Sequence, residues 1–320
     1  MNRVMMMILI PIQLSMTLSL SAQADVHQIL DTATHLAFQG HFEEAVEQTR
    51  PLLESRQLTE HERGMGWTLL GFAYQNQGEY QEAMSAYEDG LRILEKRDED
   101  AADYALALSA FGTLFRDMLQ FDAAVQMQMR ALRVDQQIGD HAGGAVACAN
   151  LADLELGLKH TKQAQAWLIR AIQESKVAPT LGDDFYAYVT SSQAWLAELK
   201  GNRRATIAGY RKEIDYLTHS PGEQNPTLGW AYMLVGKAYL KNGNIKDALS
   251  NMRQGSSILL QTVGAANPRN LLAQVAYAQA LDSAGMHAQA VQTRADSEQK
   301  LEVIYKEQCM RCRITALALH

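Results

Sequence analysis

From residue 25 onward the chain repeats one pattern of apolar and polar positions. Apolar residues recur at i, i+3, i+4 and i+7, which predicts amphipathic helices, and the helical stretches come in pairs. Small residues sit at fixed places in each pair. Gly71, Gly112, Ala152, Gly236 and Ala278 fall in first helices, and Ala83, Ala124, Ala164, Ala248 and Ala290 in second helices. Both sets let two helices approach closely, while Tyr74, Phe115 and Tyr239 fill the space beside them. The turn inside each pair is predicted at Gly40, Gly78, Leu119, Lys159, Gly201, Gly243 and Gly285, with spacings of 38, 41, 40, 42, 42 and 42 residues. Glycine there supplies the left-handed conformation that ends a helix at low cost.

Seven such units account for residues 25–320, which read as one helical repeat domain. The copy over residues 182–218, with Ala194, Ala197, Gly201, Tyr210 and Ile214, is degenerate, and its small-residue contact is either Ala194 or the Leu196-Ala197 pair. Pro179, Pro221, Pro226 and Pro268 fall between units, where they begin or interrupt helices. No Pro or Gly occurs from His287 to about Leu317, predicting a long final helix of ~45 Å, read as a cap or as a docking helix for a partner. A single hairpin cannot bury its own apolar face, so neighbours must stack into a curved rod.

Trp67-x2-Leu70-Gly71-x2-Tyr74, followed by Gly78-x-Tyr80-x2-Ala83-x3-Tyr87, resembles the tetratricopeptide repeat, although Gly90 stands where that family usually has Ala. The period exceeds the ~34 residues of the standard repeat and is similar to the longer kinesin light chain type. Gly264-Ala265-Ala266-Asn267-Pro268 before a helix fits that version. HEAT repeats share the longer pitch but lack the signature. The resemblance implies an all-α, right-handed α-solenoid of about seven helix-turn-helix repeats with a long C-terminal capping helix. It further implies a concave face, lined by first helices, that grips polypeptides. Placed residue by residue, the groove candidates are Gln75, Asn76, Thr113, Arg116, Asn150, Asp153, Trp195, Glu198, Lys237 and Lys241. Asn150 is the position at which family members often bond a ligand's main chain; Leu69, Ala110, Ser192, Leu234 and Ala276 hold the equivalent places elsewhere, a departure from the family's peptide clamp.

Composition is that of a globular protein, with 47% hydrophobic and 20% charged residues. Lys and Arg total 29 against 36 Asp and Glu, a net charge of −7, and no basic run offers a footprint for nucleic acid. Residues 1–24 carry a basic start at Arg3, an apolar stretch from Met5 to Leu14 and a small-residue end at Ala22-Gln23-Ala24. That is the pattern of a secretory signal peptide cleaved after Ala24, which places the remaining chain in a bacterial periplasm or outside the cell, with no membrane span after cleavage.

Cys148 reads as a buried small residue. Cys309 and Cys312 form a C-x-x-C read as a local disulfide, two free thiols or, with two further ligands, a metal site. No H-E-x-x-H, phosphate loop, nucleophile elbow or dinucleotide fingerprint is present, so no catalytic, cofactor or metal residue is assigned. The expected function is a non-enzymatic scaffold or adaptor binding a protein or peptide partner on the concave face. The alternative is a ligand- or peptide-sensing domain of a regulatory system.

Overall fold

The computed structural model describes residues 26–55, 58–219 and 226–308. The leader and the Cys309/Cys312 pair lie outside the described residues, as does the end of the final helix expected to reach Leu317.

The described chain is helical hairpins throughout. In chain order the helices are α1 (26–38), α2 (Phe42–Glu54), α3 (Glu60–Gln77), α4 (Tyr80–Leu94), α5 (Ala101–Asp117), α6 (Phe121–Ile138), α7 (His141–Gly157), α8 (Thr161–Ser175), α9 (Asp183–Leu199), α10 (Arg203–His219), α11 (Pro226–Lys241), α12 (Ile245–Val263), α13 (Pro268–Ser283) and α14 (His287–Gln308). Odd-numbered helices are the first of each unit and even-numbered ones the second. Local sequence sets the starts. Thr59 and Glu62 form a reciprocal capping box on α3, and the Asp140 carboxylate accepts from Ala142 and Gly143 on α7. Asn267 caps α13 with Pro268 in its first turn.

All seven expected turn positions have positive φ, from 57° at Leu119 to 89° at Gly40. At Leu119 and Lys159 a side chain is forced into that region, at a local cost of roughly 1–2 kcal/mol, because the turn geometry is set by the packing of both helices. Twelve residues separate the small first-helix residue from its counterpart in every unit, and where the first of them is glycine it lies closest to the residue sixteen positions on. A Cβ on Gly71 would lie 2.8 Å from the Tyr87 ring, and one on Gly236 would lie 2.5 Å from Met252. The fifth unit is a hairpin in the same register. Ala194 and Thr206 are both buried, and a Cβ on Gly209 would lie 2.7 Å from that of Ala194. Ala194 therefore makes the small-residue contact, and Ala197 does not. Eleven residues after the second small position, Leu94, Leu217, Leu259 and Leu301 fill the joints between units. Asp135 and Ser175 take that slot in units three and four.

Successive first helices pack against one another (α3 on α5, α5 on α7, α7 on α9, α11 on α13), so first helices form the crowded inner wall and second helices the splayed outer one. The curvature is tighter than an open rod. The superhelix winds back until early units meet late ones. A Cβ on Gly40 would lie 3.6 Å from the Pro226 ring, and one on Gly78 would lie 2.7 Å from that of Pro268. The Asn267 side-chain amide donates to the main-chain carbonyl of Asn76. One apolar cluster accordingly runs from Val26 and Leu30 through Leu70, Tyr74 and Phe111 to Leu271, Val275 and Leu301. Among the described residues, no helix is long and apolar enough to cross a membrane.

Candidate inner-face binding site

Closure turns the inner wall into a narrow polar lumen. Its first cluster spans α3, α5, α7 and α13. The Gln75 amide donates to Asp117 at 2.7 Å and to Thr113 at 3.2 Å, and its carbonyl accepts from the buried Tyr87 hydroxyl at 3.0 Å. Arg116 sits between two acids, 3.0 Å from Asp117 and 3.4 Å from Asp153. Arg269 approaches Asp117 to 3.8 Å from across the seam. Two guanidiniums and two carboxylates thus neutralise each other at low solvent exposure.

The two acids differ in character. Burial pushes the Asp117 carboxyl up, but Arg116, Arg269 and the Gln75 amide together outweigh it and hold the group below its ordinary range. Asp153 has one guanidinium, burial dominates, and its carboxyl is raised. The Tyr188 hydroxyl lies buried beside Asp153 and Arg116, its phenol pushed up by burial and by that carboxylate.

The second cluster joins α9, α10 and α11. Lys241 is ion-paired to Glu198, which also accepts from the Tyr210 hydroxyl at 3.3 Å. Lys237 lies one turn before Lys241 on α11. Its amine is half-buried, and among the described residues no acceptor lies within hydrogen-bond or ion-pair distance of it. Burial, and then the Lys241 ammonium, bring it down to about 8. The Glu198 carboxylate acts on it in the opposite direction, but is already bonded to Lys241 and Tyr210.

Seven of the ten sequence-expected groove residues fall into these clusters. Trp195 packs half-buried beside the apolar residues of the fourth and fifth units. Asn76 is drawn into the seam, its amide donating to Phe72 O at 2.8 Å and its carbonyl accepting from Asn267. Asn150 is turned into the core: its amide donates to Ser109 at 3.1 Å and to Gln128 at 3.4 Å, where Gln128 also accepts from the Ser109 hydroxyl. That amide is spent on joining α5, α6 and α7. Asp117, Tyr188, Tyr210 and Arg269 complete the lumen and were missed. Arg269 belongs to a distant unit, and no local spacing could have signalled it.

Elsewhere, His61, Asp100 and Asp103 bring ligand atoms within 4.8 Å of one another. His61 Nδ1 lies 3.0 Å from Asp100, whose other oxygen accepts from Arg97 at 2.5 Å. With a guanidinium on the same carboxylate, the cluster acts as an ion-paired tie between the second and third units. Cys148 is fully buried, and burial pushes its thiol up to about 11, which suits a packing role.

The stacked hairpins, left-handed turns and shared inner wall define a helical-repeat solenoid. The tetratricopeptide repeat family profile matches residues 62–137. Kinesin light chain-related protein 3 of Arabidopsis thaliana is 24% identical over 198 residues, covering 58% of this chain and 29% of that protein. The chain therefore spans less than a third of that relative's length. Among solved structures, the Cut9–Hcn1 assembly aligns with a TM-score of 0.62 and 13% identity, over 92% of this chain and 53% of that one. A Rap protein complexed with competence and sporulation factor aligns with a TM-score of 0.61 and 12% identity, over 87% of this chain and 78% of that one. Residues 62–137 thus match tetratricopeptide repeats, and the other hairpins of the described chain keep a similar period of 38 to 42 residues between turns.

Proposed function

We propose that this chain is an exported, non-enzymatic binding scaffold that holds an extended stretch of polypeptide against its inner wall, anchored by a carboxylate on Lys237. The observation that carries this reading is the half-buried Lys237 amine without an acceptor, one turn before Lys241 of the Glu198–Lys241 pair. A tight, polar lumen favours an extended segment over a folded partner, since a folded domain would have to force the seam apart. Main-chain groups of such a segment would find donors and acceptors in Thr113, Arg116 and Asp153, and Trp195 would offer an apolar contact. A Rap protein of the same fold is complexed with competence and sporulation factor, a precedent for ligand capture by such a solenoid.

Selection from a library of short peptides with free and amidated C-termini, or with and without acidic side chains, tests it. Carboxylate-bearing peptides should be retained by the wild type and lost with Lys237→Gln. Retention that ignores both the carboxylate and Lys237 would refute the reading. The seam favours a second role as a sensor, in which a ligand opens or tightens the contact of Asn76 with Asn267. A ligand-induced change in radius of gyration separates that role from a static scaffold. The proposed export predicts an intact mass that begins at Asp25 for protein recovered from outside the cytosol.

A further inference from the structure

The outer face of the fifth unit carries a charge of the opposite sign to the rest of the molecule. On α10, Arg203, Arg204, Arg211 and Lys212 are exposed against the single exposed acid Asp215, Glu213 being buried, in a chain of net charge −7. Arg203, Arg204 and Arg211 line an open groove of about 430 Å³ with Ile207, Ala208 and Asn242. Arg204, Ile207, Ala208 and Arg211 follow the i, i+3, i+4, i+7 rule and so share one helix face. All three arginines are exposed, and among the described residues none is in an ion pair. Asp215, one turn beyond Arg211, borders the adjoining groove and does not pair with it. The neighbouring cations are engaged differently: Lys212 lies over the Tyr216 ring and Lys200 donates to Gln165.

We propose that this outer face of α10 docks an extended acidic stretch of a polypeptide, at a surface separate from the lumen. Planar guanidiniums read carboxylates two hydrogen bonds at a time. Arg204 and Arg211 stand about 11 Å apart along the axis, and an extended chain presents like-facing side chains every ~6.7 Å, so acids two to four residues apart reach both. Ile207 and Ala208 give the groove an apolar floor for the aliphatic part of those side chains. A nucleic acid suits the surface less well, because its continuous line of phosphates would run from this short patch past Asp215 and Asp247, which line the adjoining groove.

The test is fluorescence anisotropy of a labelled glutamate-rich peptide with the full chain, across rising ionic strength. The expected result is saturable binding that weakens with salt and loses about tenfold in affinity when Arg203, Arg204 and Arg211 are all changed to Gln. Measured in the Lys237→Gln background, which removes the lumen's carboxylate anchor, the arginine-dependent binding should persist. Should the triple variant lose helicity, the single exposed reversal Arg211→Glu serves in its place and should weaken binding in the same direction. No binding, equal affinity in the arginine variants, or tighter arginine-dependent binding of a single-stranded oligonucleotide would overturn the proposal.

Discussion

Asn267 donates its side-chain amide to the main-chain carbonyl of Asn76, 191 residues earlier, while its carbonyl oxygen caps α13 by accepting from Arg269 N at 2.9 Å. One side chain thus starts a helix and closes the superhelix. Asn267→Ala removes both bonds and should cost about 1–2 kcal/mol of stability. Solution scattering should show a larger radius of gyration with nearly unchanged far-UV circular dichroism. An unchanged radius would mean that the apolar contacts alone hold the seam.

Gly78 tests the same seam from the other side. It has φ of +88°, and an added Cβ would lie 2.7 Å from the Pro268 ring. Gly78→Ala therefore combines a left-handed cost of roughly 1–2 kcal/mol with a clash that pushes the units apart. Gly201→Ala has the same backbone cost and nothing within 4 Å of the new Cβ. The difference between the two midpoints in chemical denaturation isolates the seam, and equal losses would argue against it.

Asn150→Ala should act on stability, not on recognition. It leaves Ser109 and Gln128, both buried, without a shared partner, at an expected cost of about 1–3 kcal/mol and a melting point lower by several degrees. Ligand affinity measured below that melting point should match the wild type. A selective loss of affinity with normal stability would return Asn150 to the binding face.

Glu213 makes stability fall as pH rises. It is buried on α10 where the corresponding residues are Leu52, Gly90, Ala131, Ala171, Gly255 and Ser297. One of its carboxylate oxygens has no partner; burial, with Asp153 adding to it, pushes the group up to about 8. Asp153 of α7 is the charge acting on it, Ser191 faces it from α9, and on α11 Lys241 is paired with Glu198. Because the folded chain keeps this proton while the unfolded chain loses it near 4.5, stability declines from about pH 4.5 to pH 8 and then levels. Glu213→Gln should flatten that decline, gaining up to a few kcal/mol at pH 8 and much less at pH 5. Denaturant midpoints at the two pH values decide it, and parallel pH profiles for both proteins would contradict it.

The hairpins were legible because each depends on residues close in sequence. The turn residues, the twelve-residue spacing of Gly71 and Ala83, and the buried Ala45, Ala124 and Ala248 are local facts of packing. Even Leu119 and Lys159, which lack glycine's freedom, were placed by period alone. The seam was not legible, since the meeting of Gly78 with Pro268 depends on small rotations summed over five joints. Each rotation is set by side-chain shape, not by repeat length. The direction of Asn150 was likewise hidden, because a polar residue on a first helix faces either the lumen or a polar partner such as Gln128. Glu213 did carry a signal: a carboxylate in a column that otherwise holds Leu52 and five small residues, visible once the seven units are aligned.

The account rests most directly on Lys237 as the anchor for a carboxylate. Equilibrium binding of a library-selected peptide to the wild type and to Lys237→Gln, at pH 7 and pH 9, measures it. With the amine near 8 and the ammonium as the binding form, wild-type affinity should fall up to about tenfold between the two pH values, and the Gln variant should bind weakly at both. A pH-independent affinity that Lys237→Gln leaves intact would contradict the account.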